Sequence, residues 1–286
     1  MCGRVRAESR GKSSPMGRDL IPAQRRERIR EHLQTHRIAR SADLCEALGV
    51  SETTIRRDLE QLESQGFLER THGGAILSQR MSLEPEYGYR AQTYPKEKQF
   101  IGATAAALIE EGDIVFVSSG TTATEMIPHI PSGSKITVVT NNVSALAEVR
   151  DPGFELILLG GRFRSQSNSV VGRFATETLR QVYASKVFLG VDGISPKYGC
   201  TVPASAEADV MRLMIQRTRG PVIALADHSK WGVVSNFEIA ALDHIHVLVT
   251  DTGLDPMARA ELSARSVRVA IASAATVRDA HVQSGG

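Results

Sequence analysis

The sequence predicts an α/β chain in two modules: a small helical one ending in a β-hairpin, then a larger, mostly parallel sheet interleaved with helices. Three observations carry that expectation. The chain has 286 residues, more than one ordinary domain needs. Apolar residues recur at helical spacing up to residue 62, whereas from about residue 97 apolar runs alternate with helical patterns. With 42% hydrophobic and 23% charged residues there is enough apolar material for packed cores, which excludes a largely disordered protein.

Residues 1–21 are rich in Arg, Ser and Gly and are expected to form a solvated tail. In the first module, 22–77, Ile29 and Leu33 are four apart, Leu44 and Leu48 repeat that spacing, and Ile55, Leu59 and Leu62 follow at i, i+4, i+7. Three short amphipathic helices result. Gly49 ends the second and Ser51, a good N-cap residue, opens the third, so the two are joined by a tight turn. Residues 67–77 then alternate on either side of a Gly-Gly pair, which suggests a hairpin, in effect a wing. Residues 78–95, with Pro85, Gly88, Pro95 and three tyrosines, lack periodicity and are expected to form a partly packed linker.

The second module, 96–272, offers seven buried-type strands at 114–117, 136–139, 156–159, 187–191, 222–226, 246–249 and 267–271. Helices between them imply an open, Rossmann-like, mostly parallel sheet. Residues 273–286 are expected to be a second tail.

The net charge is +2. The first 75 residues hold 14 Lys and Arg against 11 Asp and Glu, the remainder 20 against 21, so attraction to polyanions is placed in the first module. No run approaches the ~20 apolar residues a membrane helix needs. Cys2, Cys45 and Cys200 lie far apart, which supports neither a disulfide framework nor a zinc cluster. A cytoplasmic protein without metal or cofactor is expected. His244 and His246 could share one strand face as a metal pair, but no third ligand can be placed, and a surface or packed pair is the preferred reading.

Two regions carry recognisable chemistry. On the third helix Ile55, Leu59 and Leu62 point inward, leaving Thr53, Thr54, Arg56, Arg57 and Gln61 on other faces. A helix in the major groove reads base edges with its N-terminal turn; Arg bonds guanine bidentately, and Thr touches a thymine methyl or a phosphate. Arg56 and Arg57 diverge by about 100° on a 3.6-residue helix, so one can read bases while the other holds phosphate. The alternative is a solvated helix with both paired to Glu52, Glu60 or Glu63.

The second region begins where the strand at 114–117 runs into Ser118-Ser119-Gly120-Thr121-Thr122 and a helix. Small hydroxyl residues and Gly at a strand's carboxyl end offer backbone N–H groups to an anion. No G-x-x-x-x-G-K-[ST] is present, so nucleotide hydrolysis has no support. Later strand ends carry Thr140-Asn141-Asn142, Gly160-Gly161-Arg162, Gly190-Val191-Asp192-Gly193 and Asp227-His228-Ser229-Lys230, and such loops converge on one crevice. A phosphorylated polyol suits this set, with Lys230 and the Ser119–Thr122 backbone for phosphate and Asp192 and Asn141 for hydroxyls. Taken singly, each is also ordinary turn chemistry.

The stretch V-S-E-T-T-I-R-R-D-L at 50–59, with G-F-L at 66–68 and H-G-G-A at 72–75, resembles the signature of the DeoR family of bacterial transcriptional regulators. The resemblance implies a winged helix-turn-helix, its motif spanning about 39–58, with Ser51, Thr53, Thr54, Arg56, Arg57 and His72 at DNA; Asp58, a carboxylate that phosphates would repel, is read as structural. It continues over about 97–251 through S-G-T-T, T-N-N, G-G, F-L-G-V-D-G-I, G-C-T and A-D-H-S-K. That half looks like the DeoR sensor domain, whose fold is related to ribose-5-phosphate isomerase and which in the family typically binds a sugar phosphate. The candidate effector residues are Ser119, Gly120, Thr121, Thr122, Asn141, Gly160, Gly161, Asp192, Glu207 and Lys230. Ser118 and Ser185 stand where the family often has Asp, and Met211 where it often has a basic residue. The expected function is a DNA-binding regulator, by family habit a repressor of a carbohydrate operon, binding as a homodimer or homotetramer and controlled by a phosphorylated sugar or related metabolite. The alternative is a sugar-phosphate isomerase-like enzyme carrying a DNA-binding module, but the acidic and lysine constellation that isomerisation needs is not reproduced, so no catalysis is expected.

Overall fold

The structure, a computed structural model, describes residues 20–81, 83–131, 133, 135–149 and 153–275. The expected tails lie almost entirely outside the described residues. The chain divides into two compact units at Leu77 and Ser78.

In the first unit α1 (Pro22–His36) starts on a proline, which suits a first helical turn, and ends on Arg37 in the left-handed region. A short strand β1 (Ile38–Arg40) leads to α2 (Ser41–Leu48), and α3 (Glu52–Ser64) follows. Gly49 closes α2 at φ +64°, a conformation only glycine adopts without strain, and the Ser51 hydroxyl accepts from the Thr54 N–H to open α3. The helix-turn-helix is thus built by the residues that predicted it. Strands β2 (Leu68–Thr71) and β3 (Gly74–Leu77) form the hairpin, with Thr71 opposite Gly74. The two-residue turn is therefore His72-Gly73 rather than Gly73-Gly74, because Gly74 is needed as a pairing residue opposite both Thr71 and Arg40. β1 pairs antiparallel with β3, a third strand too short to show a period in the sequence.

The core of this unit gathers Ile29 and Leu33 of α1, Leu44 and Leu48 of α2, and Ile55, Leu59 and Leu62 of α3. Asp58 is buried beside them and accepts from the Arg25 Nε and, at 3.5 Å, from Arg26 Nη1. A buried carboxylate is tolerated only when paired, so Asp58 fastens α3 to α1 and is not available to DNA.

The second unit contains β4 (Gln79–Arg80), α4 (Tyr87–Gln92), α5 (Pro95–Ala106), β5 (Ile114–Val117), α6 (Thr121–Thr124), β6 (Thr137–Thr140), α7 (Ala145–Glu148), β7 (Glu155–Leu158), β8 (Arg162–Arg164), β9 (Ser169–Val171), α8 (Arg173–Leu179) and β10 (Lys186–Gly190). It continues with β11 (Gly193–Ser195), β12 (Gly199–Val202), α9 (Ser205–Gln216), β13 (Val222–Leu225), β14 (Val233–Val234), β15 (Phe237–Ala240), β16 (Val247–Asp251), α10 (Pro256–Ala264) and β17 (Arg268–Ala272). All seven predicted strands join one parallel sheet in the order β17-β16-β13-β10-β5-β6-β7. One face buries Val115, Val117, Phe188, Ile223 and Val249, and the other buries Phe116, Val187, Leu189 and Leu248, as expected when helices cover both sides.

The order shows where the chain reverses. From β5 it moves outward to β6 and β7, then returns to the other side of β5 to lay down β10 and continue to β17. The loops after β5 and β10 consequently leave in opposite directions and open a crevice between them.

Residues 78–95 are more than a linker. β4 pairs with β14, and α4 packs its Arg90 into the second unit. The two histidines do not form a pair on one strand face: His244 ends a 3-10 turn and His246 precedes β16, where its Nδ1 accepts from the Val222 N–H at 3.1 Å. Among the described residues no group of three or more His, Cys, Asp or Glu is arranged to hold a metal, and no helix is long and apolar enough to cross a membrane.

Gly102 allows α5 to meet the turn after α6: a Cβ there would stand 2.3 Å from the Glu125 carbonyl oxygen. Gly→Ala in an exposed helix gains about 1 kcal/mol. Gly102→Ala should instead lose about 1–3 kcal/mol to overpacking, read as a lower urea midpoint at unchanged slope; a stabilised variant would contradict this packing.

Candidate functional site

The first candidate surface is α3. Ser51 and Thr54 are engaged with each other: the Thr54 N–H donates to the Ser51 hydroxyl at 3.4 Å, and the two hydroxyls lie 2.9 Å apart. They fix the start of the helix. Thr53, Arg56 and Arg57 are exposed, and at spacings of three and four they share one side of α3. Arg56 Nε lies 3.2 Å from Glu60 Oε1, and Arg70 of β2 binds Glu60 at 2.7 Å and Glu63 at 3.1 Å. The Arg56 hydrogen bond, with Arg70, holds the Glu60 carboxyl below its usual range. The acid thus ties the hairpin to α3 and orients Arg56, while Arg57 has no ion-pair partner among the described residues. His72 is exposed at the hairpin turn.

The second candidate is the crevice at the reversal point. A cavity of about 20 Å³ is lined by Gly120, Thr121 and Thr122 after β5, by Gly190, Val191 and Asp192 after β10, and by Arg90 and Lys230. Gly120 takes φ +123°, which only glycine adopts readily, and so turns the chain from β5 into α6. The Gly190 N–H donates to the Ser118 hydroxyl at 2.9 Å, tying the two loops together. Ser118 thereby has a structural role. Ser185, the other residue standing in place of a frequent Asp, donates to Asp113 at 2.7 Å at the opposite ends of the strands, and Met211 is simply buried.

Of the predicted effector residues, Gly120, Thr121, Thr122, Asp192 and Lys230 meet at the cavity. Ser119 and Asn141 lie buried behind it. The Ser119 N–H donates to Asn141 Oδ1 at 2.9 Å, and Asn141 Nδ2 donates to the Val170 carbonyl at 3.2 Å, so the amide holds the loop. Glu207 is buried and accepts from the Ser119 and Ser169 hydroxyls at 3.4 and 3.3 Å, with Arg164 at 3.5 Å. Burial pushes its carboxyl up, against the opposing pull of Ser167 and Arg164. Gly160 and Gly161 follow β7 and do not line the cavity; a Cβ on Gly161 would stand 2.9 Å from Val170 and Val171, so that glycine serves packing against β9.

Arg90, Glu84 and Arg164 escaped sequence reasoning. Arg90 Nη1 donates to Asp192 at 2.8 Å and its Nη2 lies 3.6 Å from Glu84; Glu84 in turn pairs with Arg164, which reaches Glu207. The acids and bases alternate along the partly buried wall of the crevice, Asp192, Arg90, Glu84, Arg164, Glu207. These pairs span from six to 102 residues, and no local pattern announces them.

Lys98 was missed although it left a signal: it occupies the apolar register of Ile101, Gly102 and Ala105 on α5. It is buried and donates to the Arg90 carbonyl. Burial pushes its ammonium down to about 8, opposed by the nearby Asp227. The unfolded chain, titrating near 10.5, then holds more protons than the folded one between pH 8 and 10.5. The burden of the buried charge is therefore full below pH 8 and relieved as pH rises to 10.5. The melting-temperature difference between wild type and Lys98→Met, measured by calorimetry, should move in the wild type's favour across that window; a flat difference would contradict a buried ammonium.

With this geometry in view, comparison with known proteins is direct. Residues 25–80 match the DeoR-like helix-turn-helix domain, and residues 93–252 match the DeoR C terminal sensor domain. The chain is 34% identical over 251 residues to the HTH-type transcriptional regulator GlpR of Haloferax volcanii, covering 87% of this chain and 98% of that one. It is 37% identical over 224 residues to the HTH-type transcriptional repressor GlcR of Bacillus subtilis, covering 78% and 86%. Among solved structures, ribose 5-phosphate isomerase A of Methanocaldococcus jannaschii aligns at a TM-score of 0.36 and 13% identity, over 49% of this chain and 55% of that one.

Proposed function

The chain belongs to the DeoR family of HTH-type transcriptional regulators, and on that premise we propose that it represses a carbohydrate operon and is released or retained by a phosphorylated sugar in the crevice between β5 and β10. The single observation behind the effector reading is that the crevice lies at the reversal point of the parallel sheet, with the hydroxyls of Thr121 and Thr122 beside Arg90 and Lys230. Two cations and a glycine-led loop suit a phosphate, and the β10 loop stands where sugar hydroxyls would fall.

On the DNA side, Arg57 and Thr53 face outward from α3 for base edges, while Arg56, held by Glu60, is placed for phosphate. Ser51 and Thr54 act by fixing the helix start, and His72 approaches from the hairpin. One recognition helix reads few bases, so at least a dimer on paired half-sites is expected.

An enzymatic reading finds no support at the crevice. Proton transfer needs a free base against the ligand. Asp192, the carboxylate lining the cavity, is bound by Arg90, and Glu207 is enclosed by Ser119, Ser169 and Arg164.

Arg57→Ala should cost about 1–3 kcal/mol of operator binding in fluorescence anisotropy while leaving the melting temperature unchanged. Unchanged affinity would remove α3 from the DNA interface. Lys230→Ala should bind the operator normally but need roughly tenfold or more sugar phosphate for the same response, the size of one hydrogen bond to a charged group; a normal response would place the effector elsewhere.

A further inference from the structure

The crevice as it stands is too small for the ligand proposed for it. A cavity of about 20 Å³ holds little more than one water, so a phosphate ester enters only if part of the wall yields. The wall that can yield is the one made by side chains. Gly120, Gly190 and Val191 belong to main chain that caps α6 or ends β10, whereas Arg90 and Asp192 meet through their side chains, Nη1 to Oδ1 at 2.8 Å.

The pairing around Arg90 is also incomplete. Its side chain is 9% exposed and its Nη2 donates to the Gln166 carbonyl at 3.3 Å, yet its Nε is buried without a hydrogen-bond partner, and its second carboxylate, Glu84, stands at 3.6 Å. A guanidinium presents its donors as a planar fork, and phosphate oxygens match that fork better than one oxygen from each of two separate carboxylates. An added dianion and the Asp192 carboxylate would stand side by side on the one guanidinium of Arg90 and repel each other.

We propose that Arg90 is the anion-recognising residue of this crevice, and that in the free protein Asp192 occupies the position on its guanidinium that the ligand's phosphate takes on binding. The inference rests on the effector reading above and deepens it: Asp192 acts as a competitor of the phosphate. Arg90 sits on α4, whose main chain Lys98 grips through the Arg90 carbonyl, and α4 and β4 are the first elements after Leu77. Exchange of partners at Arg90 therefore acts on the segment that leads directly from the hairpin.

The test is isothermal titration of the full chain with inorganic phosphate and with glucose 6-phosphate, against chloride at matched ionic strength. Asp192→Asn keeps the shape of the side chain and removes its charge. It should bind inorganic phosphate about tenfold more tightly than wild type, because one charge-assisted hydrogen bond no longer has to be displaced. Arg90→Gln should lose phosphate binding, Arg90→Lys should bind more weakly than wild type, and the Arg90→Gln/Asp192→Asn double variant should remain as weak as Arg90→Gln. Far-UV circular dichroism and a cooperative thermal melt check that each variant is folded. If wild type binds both anions but Asp192→Asn binds phosphate equally or less well, the competition is refuted and the effector reading stands. If Arg90→Gln binds phosphate as wild type does, Arg90 is not the recognising residue. If wild type binds neither anion nor any other sugar phosphate, the effector reading itself fails, and this inference with it.

Discussion

The second unit depends on one topological constraint, the reversal of the chain between β5 and β10. Parallel strands need crossover connections, and a sheet that grows first to one side and then to the other must leave one pair of neighbours whose following loops diverge. The gap between those loops cannot be filled by a helix crossing either way. It is filled by what the loops and the adjoining α4 supply: Gly120, the Thr121 and Thr122 hydroxyls, Asp192, Lys230 and the guanidinium of Arg90. The hydroxyl of Ser118 across to Gly190, and the amide of Asn141 behind Ser119, hold the two loops at fixed spacing.

Charge is the second determinant. Removing acids and bases from water is costly unless each faces an opposite sign, and the alternation from Asp192 through buried Arg90, half-buried Glu84 and Arg164 to buried Glu207 meets that need in one continuous wall. Glu207, the innermost, is shifted toward its neutral form by burial. Such a wall is stable while its pairing is complete and responsive when an anion offers one member a better partner. The first unit uses the same device where Asp58 is held between Arg25 and Arg26, and there it joins two helices.

The difference between what the residues announce and what the structure adds follows from the range of the interactions. Gly49, Ser51 and the Ile55, Leu59, Leu62 stripe are local rules, and they place the start and the inner face of α3. The seven apolar runs are likewise local, and each became a strand of the sheet. Ser119 to Thr122 was legible because strand, glycine and hydroxyls adjoin in sequence. Arg90 was not, since its partner Asp192 lies 102 residues away and the stretch around it has no period. Asn141 stands at a strand end beside other polar residues, which suggests a ligand contact, but its amide is buried and spent on Ser119 and Val170, a fact set by tertiary packing alone. Strand β1 is three residues long and pairs only because β3 is already beside it.

A regulator of this kind is defined by coupling between two sites on one chain, and coupling is reciprocal. The most direct measurement is therefore a closed cycle: operator affinity with and without saturating sugar phosphate, and sugar phosphate affinity with and without saturating operator, at one salt concentration. Coupled sites give the same factor in both directions, about 5 to 150 for a coupling of about 1–3 kcal/mol. A factor of one in either direction, with both ligands bound, would show two independent sites and contradict it.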